Sequence, residues 1–137
     1  MRVLQIVHGY PPSGAGGTEL YAEAIAQTLA CGFGDDVAVL AREQAPDAPE
    51  FRVRDERRGP VRVHWINNTF RTAQHPEDTY VNPRITAIAA RLVDEVRPDV
   101  AHVHHLTCLS TTIVDALAER GIPVVLTLHD YWLICHR

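Results

Sequence analysis

The fold of this chain is constrained most by an alternation of short apolar runs with longer segments of helical periodicity. Five runs rich in valine, isoleucine and leucine have the length and composition of buried strands, at residues 3–7, 37–41, 61–66, 100–104 and 124–128. Strands that alternate with helices predict a parallel sheet covered on both faces, with right-handed crossovers. We therefore expect a three-layer α/β domain with a mostly parallel sheet and the strand order 3-2-1-4-5, numbered along the chain.

Three helices are predicted, and the second is the best defined because Asn82 can cap it and a proline follows in its first turn. Its apolar stripe contains Ile85, Ile88, Ala89, Leu92, Val93 and Val96. For the helix at residues 18–30 we expect a packed face of Tyr21, Ala24, Ile25, Thr28 and Leu29. Ser110 is expected to cap the third helix. Residues 42–60 show no clear pattern, and residues 67–81 are predicted to form a loop.

Length and composition indicate one globular domain. The chain has 137 residues, of which 46% are hydrophobic and 22% charged, and its formal net charge is -4. This acidic balance argues against a nucleic-acid partner. No apolar run reaches the ~20 residues of a membrane span, and the start of the chain is unlike a signal peptide. We expect a cytoplasmic protein, with peripheral attachment to the inner face of a membrane left open.

Three segments are expected to meet at the carboxyl edge of the sheet. In an open α/β sheet, ligands bind beyond the carboxyl ends of the strands, near the point where the strand order reverses. With the predicted order, that point lies between the first strand and the strand that ends at His104. The loop at residues 8–19, the pair His104–His105 and the turn at residues 129–132 therefore border one crevice.

The first of these segments is a glycine loop in which Gly14, Gly16 and Gly17 directly precede a helix. Glycines let a ligand approach the backbone, and the positive end of a helix attracts anions. The spacing does not fit a dinucleotide fingerprint, because Glu19 replaces its third glycine, and Ala15 replaces the lysine of a Walker A loop. A flexible turn remains the alternative. Glu19 is either a carboxylate that stabilises the helix dipole or an acceptor of hydrogen bonds from a sugar hydroxyl.

Histidine is concentrated near the end of the chain. Of eight histidines, five lie in the last 36 residues: His102, His104, His105, His129 and His136. With Cys108, Cys135 and Asp130 nearby, a metal site has to be considered. The spacings match none of the usual zinc patterns, so we expect no metal.

The individual histidines have different interpretations. Strand alternation sends His102 and His104 to the same face of the sheet. His102 is interpreted as a packed histidine, whereas His104, at the end of its strand, is the stronger functional candidate. His129 and Asp130 form either an oriented acid/base pair or a histidine followed by a structural Asp cap.

Other reactive or aromatic side chains have plainer interpretations. Cys31 is expected to be a buried inert thiol, and the three cysteines are too sparse for a disulfide framework. Trp65 is expected in the core, while Trp132, beside the crevice, is left open between packing and stacking on a ligand. The arginines within residues 52–62 are interleaved with acidic residues, which favours a solvated loop over a surface for an acceptor or a membrane.

Two stretches of the sequence resemble family 4 glycosyltransferases, which have the GT-B architecture. The first is GYPPSGAGGTELY at residues 9–21. The second is DVAHVHHL at residues 99–106, followed by GIPVVLTLHDYW at residues 121–132. The resemblance implies that the chain is the N-terminal, Rossmann-like half of such an enzyme.

That resemblance also implies a reaction, in which a sugar passes from a nucleotide-sugar donor to an acceptor hydroxyl with retention and without a metal or other cofactor. The backbone N–H groups of Gly16 and Gly17 would bind the donor diphosphate. His104 would be the catalytic residue at the reaction centre. The side chains implied on the acceptor side are Glu19, Tyr21, His129 and Asp130.

The chain departs from the family pattern because the donor-binding C-terminal domain, with its basic pair and E-x7-E carboxylates, is absent. We therefore expect the 137-residue chain alone to be inactive, and its truncated sheet to promote self-association. A second hypothesis is a non-catalytic α/β module that binds an anion or a nucleotide. A third is an NADP-binding domain with Arg42 near the 2′-phosphate, which the failed glycine spacing argues against.

Overall fold

The structure, a computed structural model, describes residues 1–134 and contains a six-stranded sheet. The strands are β1 (Arg2–Val7), β2 (Asp36–Glu43), β3 (Val53–Arg58), β4 (Val61–Asn67), β5 (Val100–Val103) and β6 (Val124–Leu126). Their order is β3-β4-β2-β1-β5-β6, and neighbours are parallel except for the antiparallel pair of β3 and β4. The α/β class and the mostly parallel sheet are confirmed. The order differs from the predicted one because β3 is added at the edge beside β4.

The sequence pattern misses β3 because this strand, Val-Arg-Asp-Glu-Arg-Arg, has no apolar alternation. Polar side-chain contacts hold it against the sheet instead. The Trp65 indole N–H donates to Glu56 Oε2 (3.1 Å), and the Arg54 guanidinium lies over the Trp65 ring, 4.9 Å from its centre. Arg54 also donates to the buried carboxylate of Glu43 (2.6 Å). The arginine-rich segment is therefore folded against its own sheet through ion pairs.

Helices cover both faces of the sheet. Helix α1 (Gly17–Gln27), extended by a π-helical turn at Thr28–Gly32, packs on one face. Helices α2 (Pro83–Val96) and α3 (Ile113–Ala118) pack on the other face. A short 3-10 helix at Pro76–Thr79 precedes α2. Two hydrophobic clusters, one on each side of the sheet, form the core of the three-layer domain.

The buried face of α1 differs from the predicted one. Ala22, Ala26 and Ala30 are the buried residues of α1 and its π-helical extension, whereas Tyr21 is 44% exposed. Alanines four residues apart form a flat stripe, so the helix can approach the sheet more closely than larger side chains would allow. Tyr21 is consequently left at the carboxyl edge of the sheet.

Helix α2 forms as predicted. The Asn82 side chain caps it by accepting hydrogen bonds from the backbone N–H groups of Arg84 (3.1 Å) and Ile85 (3.2 Å). The predicted stripe is buried, with Ile88 only partly so. The predicted cap of α3 is wrong, because the Ser110 hydroxyl instead accepts a hydrogen bond from the Asn82 backbone N–H (3.0 Å). Ser110 therefore ties the segment before α3 to the start of α2.

Two further side chains test the predicted core. Trp65 is fully buried, as predicted. Cys31 is exposed, which corrects the prediction of a buried thiol. The reason is the alanine stripe, which turns Ala30 rather than Cys31 toward the sheet. Within residues 1–134, no helix has both the length and the apolar composition needed to cross a bilayer.

Candidate functional site

The segments that follow β1, β5 and β6 meet at the carboxyl edge of the sheet. Strand β5 pairs in parallel with both β1 and β6, so the chain leaves all three strands at the same edge. The His104 backbone N–H donates to the carbonyl of Ile6 (2.9 Å), which extends the ladder to the first loop. The glycine loop ends beside them, where α1 begins at Gly17. The structure therefore brings together the loop, the histidine pair and the turn that the sequence placed at one crevice.

The Glu19 carboxylate is folded back into the glycine loop. Its Oε1 lies 3.1 Å from Nε2 of His8. Its side chain also packs closely against Gly9, Gly14 and Gly16. A Cβ atom on Gly16 would lie only 2.6 Å from Oε2 of Glu19, so a side chain there would displace the carboxylate.

Gly17 has different surroundings from Gly16. A Cβ atom on Gly17 would meet no heavy atom within 4 Å. Gly17 is the first residue of α1, where backbone N–H groups have no intrahelical partner. The space on the Cβ side of Gly17 is therefore open, while Glu19 occupies the space beside Gly16.

Aromatic side chains from three segments form a cluster next to this loop: Tyr21, His102, His104 and His129. The rings of His102 and His104 have centres 4.0 Å apart, as their shared face predicts. Nδ1 of His104 lies 3.2 Å from Nε2 of His129, within hydrogen-bonding distance. The Tyr21 ring meets both edge-on, 5.8 Å from His104 and 5.2 Å from His129. The two candidate histidines and Tyr21 therefore act as one packed unit.

His104 and His129 differ in accessibility and charge. His104 is 2% exposed, and its Nε2 is buried without a hydrogen-bond partner among the described residues. Burial, reinforced by His102 and His129, lowers the pKa of His104 to about 3, so its ring is neutral near pH 7. His129 is only partly buried. A ligand in the crevice would therefore meet the ring of His129, with His104 behind it.

Asp130 contacts His105 rather than its neighbour His129. Its Oδ2 lies 3.2 Å from Nε2 of His105, and its Oδ1 accepts a hydrogen bond from the Trp132 backbone N–H (2.9 Å). The bond from Trp132, followed by the contact with His105, lowers the pKa of Asp130. Asp130 is thus an exposed carboxylate with a fixed orientation. The Asp cap that the sequence left open is present, whereas the pair with His129 is not formed, because Asp130 contacts His105 instead.

Trp132 packs over the same histidine. Its ring centre lies 4.9 Å from that of His105, and a second edge-on contact, at 6.4 Å, is with Tyr80. Trp132 is half-buried against the core cluster of α2 and α3. The ring is therefore a packing element of the crevice wall.

His8 is the residue of this site that sequence reasoning missed. It follows β1 directly, contacts Glu19 through Nε2, and meets the His105 ring edge-on with 4.8 Å between centres. Burial lowers the pKa of His8, although the Glu19 carboxylate acts in the opposite direction. Its position at the end of the first strand is the signal that would have found it. His8 therefore lies between Glu19 and His105, and His105 in turn contacts Asp130.

The histidines near the end of the chain raised the question of a metal site. In the part of the chain that the structure describes, no group of three or more His, Cys, Asp or Glu side chains is placed to hold a metal ion. Nε2 of His102 lies 2.8 Å from the Thr127 hydroxyl, which fits the predicted packing role. Cys135 and His136, two of the ligands that the sequence analysis considered, lie outside the described residues.

Comparison with solved structures shows the same fold in larger enzymes. A sucrose-phosphate synthase from Thermosynechococcus elongatus matches with a TM-score of 0.62 and 16% identity, over 96% of this chain and 33% of that chain. An α,α-trehalose-phosphate synthase (UDP-forming) from Burkholderia vietnamiensis matches with a TM-score of 0.52 and 15% identity, over 92% of this chain and 31% of that chain. The chain thus spans about a third of the length of these synthases.

Sequence comparison identifies the family. No curated protein matches the chain. The family model of the glycosyl transferase 4-like domain matches residues 16–137, which include the start of α1, β5, β6 and the turn that follows. The chain therefore belongs to the family of glycosyl transferase 4-like domains, and its fold is that of the N-terminal domain of a GT-B glycosyltransferase.

Proposed function

We propose that this domain forms the acceptor side of a retaining glycosyltransferase that transfers a sugar from a nucleotide-sugar donor to an acceptor hydroxyl. The observation that carries the proposal is the convergence of Glu19, Tyr21, His129 and Asp130 at the edge of the sheet where α1 begins. The family match supports it, as does the similarity to a synthase described as UDP-forming. A donor-binding domain outside residues 1–137 would complete the active site.

The donor diphosphate would lie at the start of α1. The N–H groups of the first turn have no partner within the helix, and the aligned peptide dipoles place about half a positive charge there. The open space beside Gly17 lets phosphate oxygens approach the backbone, and Gly16 lies next to it. Negative charge grows on the diphosphate as the glycosidic bond breaks. Fixed donors would therefore stabilise the transition state more than the bound substrate.

The acceptor hydroxyl would be oriented by Asp130 and His129. Asp130 is ionised and fixed by Trp132 and His105, so it can accept a hydrogen bond from the hydroxyl. His129 is the partly exposed ring of the aromatic cluster. An oxocarbenium-like centre needs a close and oriented hydroxyl more than it needs a strong base. These two groups supply that orientation.

His104, the catalytic residue implied by the resemblance, is proposed to act through His129. Its buried ring lies 3.2 Å from Nε2 of His129 and is neutral, so it fixes the tautomer and the orientation of that ring. His104 is on this view a positioning residue, and His129 is the group that meets the substrates.

The test uses the protein as its gene encodes it, incubated with UDP-, GDP- and ADP-sugars and a panel of acceptors. Release of the nucleoside diphosphate is measured. His129→Ala is expected to lower kcat/KM by about 100-fold or more, because a group that positions the reacting hydroxyl is lost. His75→Ala, at an exposed histidine outside the crevice, is the matched control and should leave kcat/KM unchanged.

Other outcomes separate the competing hypotheses. The 137-residue chain alone is expected to show no turnover, and EDTA is expected to leave the rate of the complete protein unchanged. Unaltered kcat/KM in His129→Ala would contradict the proposed acceptor site. Nucleotide binding with no turnover by the complete protein would favour the non-catalytic binding module.

A further inference from the structure

Arg42 is a cationic side chain beside the crevice that the proposed function does not use. It lies near the carboxyl end of β2, where the register pairs Val7 of β1 with Ala41. Arg42 and His8 are the next residues along these two parallel strands. They therefore lie side by side at the edge of the sheet where the site is built.

The charge of Arg42 is not matched by a carboxylate. The sequence contains no lysine, and most of the described arginines form an ion pair. Within residues 1–134, the arginines with no carboxylate oxygen within 4.0 Å are Arg42, Arg57, Arg84, Arg91 and Arg97. Arg42 is the partly buried member of this group, and the others are exposed. A partly buried cation without a counter-ion is the type of group that binds an anionic ligand.

Two carboxylates in the segment around Arg42, those of Glu43 and Glu50, are engaged elsewhere. Glu43 accepts hydrogen bonds from Arg52 (3.0 Å) and Arg54 (2.6 Å). Glu50 accepts hydrogen bonds from the backbone N–H groups of Thr69 (2.9 Å) and Phe70 (3.0 Å). Neither of these two carboxylates therefore compensates the positive charge of Arg42.

The guanidinium of Arg42 is held in a fixed orientation. Its Nε donates a hydrogen bond to the backbone carbonyl of Asn68 (2.7 Å), and its Cζ lies 4.9 Å from the centre of the Phe70 ring. Asn68 is buried and anchored by a hydrogen bond from its side-chain amide to the carbonyl of Cys108 (2.8 Å). This use of Nε leaves the two terminal nitrogens for a ligand. Their planar fork matches the oxygen pairs of phosphate and carboxylate groups.

The strand register places Arg42 at the same edge of the sheet as His8, because both follow the paired residues Val7 and Ala41. Burial is the main cause that lowers the pKa of His8, and the charge of Arg42 acts in the same direction. His8 in turn contacts Glu19 and His105, and His105 contacts Asp130. An anion at Arg42 would thus lie at the edge of the sheet that carries the side chains proposed to orient the hydroxyl.

We propose that Arg42 binds an oxyanion group, phosphate or carboxylate, of the acceptor, so that this domain selects a negatively charged hydroxyl compound. The assignment of that ligand as the acceptor rests on the proposed function. The binding site itself depends only on Arg42, Asn68 and Phe70.

The experiment titrates the 137-residue chain with inorganic phosphate, glucose 6-phosphate, glucuronate and glucose, and follows backbone amide shifts by NMR. The three anions are expected to shift amides near Arg42, and glucose is expected to bind much more weakly. Arg42→Met should weaken binding of the anions by about 10- to 100-fold, the effect of losing a charged hydrogen bond. Arg42→Lys keeps the charge without the fork and should give an intermediate affinity. The relative affinities of glucose 6-phosphate and glucuronate distinguish the two oxyanions.

Arg84→Met is the matched control, because Arg84 also lies over an aromatic ring, 4.9 Å from the centre of Phe51, but is exposed. It should leave all affinities unchanged. Equal anion affinity in the wild type, Arg42→Met and Arg42→Lys would overturn the inference. If Arg42→Met does not fold, the inference is overturned when Arg42→Lys binds the anions as tightly as the wild type. Arg42-dependent anion binding in a protein that never turns over nucleotide sugars would support the oxyanion site while overturning the transferase function.

Discussion

At the scale of single residues, His104 couples the site to the acid stability of the domain. Its pKa is lowered from 6.5 to about 3 by burial, so the folded state excludes a proton that the unfolded chain binds. Above pH 6.5 both states are neutral, and the full stability contribution is present. As the pH falls from 6.5 toward 3, the contribution of His104 is lost, at a slope approaching ~1.4 kcal/mol per pH unit.

This linkage predicts that His104→Gln flattens the pH dependence of unfolding. The free energy of unfolding from urea titrations should fall less steeply below pH 6.5 in the variant than in the wild type. Some slope should remain, because burial lowers the pKa of His8 and His102 as well. An identical slope in the two proteins would show that His104 accepts a proton in the folded state.

The glycine loop supplies a second prediction at the residue scale, from the neighbours Gly16 and Gly17. Gly16→Ala should push the Glu19 carboxylate away from His8, because the new Cβ would lie 2.6 Å from Oε2 of Glu19. The Gly16 backbone is extended (φ -78°, ψ 176°), and the displaced atom ends a flexible side chain, so we expect a stability change below about 1 kcal/mol. The His8 ring signals in an NMR titration should nevertheless change.

Gly17→Ala is the matched comparison. Its Cβ would meet no atom within 4 Å, and alanine favours a helix more than glycine does. We expect equal or greater stability, by up to about 1 kcal/mol, with the His8 titration unchanged. A His8 titration altered equally by both variants would mean that the loop rearranges as a whole and that the Glu19 contact is not specific to Gly16.

The sequence predicted the location of the site better than the side-chain contacts within it. The topology alone placed residues 8–19, His104 and residues 129–132 at one edge, since parallel strands end together. The contact of Glu19 with three glycines and the pairing of Asp130 with His105 depend on three-dimensional positions that no local pattern encodes.

At the scale of secondary-structure elements, the edge strand β3 depends on one buried carboxylate. The side chain of Glu43 is 6% exposed and accepts hydrogen bonds from Arg52 and Arg54. Glu43→Ala would remove the carboxylate partner of Arg52 and leave Arg54 with Glu56 alone, and we expect a loss of about 1–3 kcal/mol in the free energy of unfolding. Hydrogen exchange should report the loss first at the amides of β3.

The control for this prediction is the exposed pair of Asp36 and Arg62, with side chains 54% and 36% exposed. Asp36→Ala should cost less than about 1 kcal/mol, because water screens an exposed pair. If Asp36→Ala destabilised the domain as much as Glu43→Ala, burial would not be the property that makes the β3 network important.

Elements with an apolar period were predicted well, and elements without one were not. The five parallel strands and the stripe of α2 follow from runs and stripes of large apolar residues. Strand β3 is held by charges, and α1 packs through alanines, so neither carries that signal. The larger side chains of α1, which suggested the wrong buried face, include Tyr21 in the aromatic cluster.

At the scale of the whole molecule, β6 leaves an apolar edge uncovered. Val124, Val125 and Leu126 are 38%, 50% and 49% exposed, although strands of this composition are typically buried on both faces. Among the described residues, no strand pairs with the outer side of β6. A mostly apolar cavity of about 220 Å³ lies beside it, with Val103 of β5 and Val114 of α3 in its lining. Unpaired backbone groups next to apolar side chains favour pairing with another strand.

The 137-residue chain is therefore expected to self-associate through β6. Its sedimentation coefficient should rise with protein concentration across the micromolar range, as molecules pair edge to edge. Val125→Lys places a charge on the exposed edge and should suppress this rise, since a charged edge opposes strand pairing. Phe33→Lys changes a side chain that is 73% exposed and lies just before β2, a strand three positions from β6 in the sheet. It removes a comparable apolar surface and should not suppress the rise. Equal suppression by both variants would point to nonspecific apolar contact. A wild-type chain that stays monomeric throughout would contradict the prediction that β6 drives association.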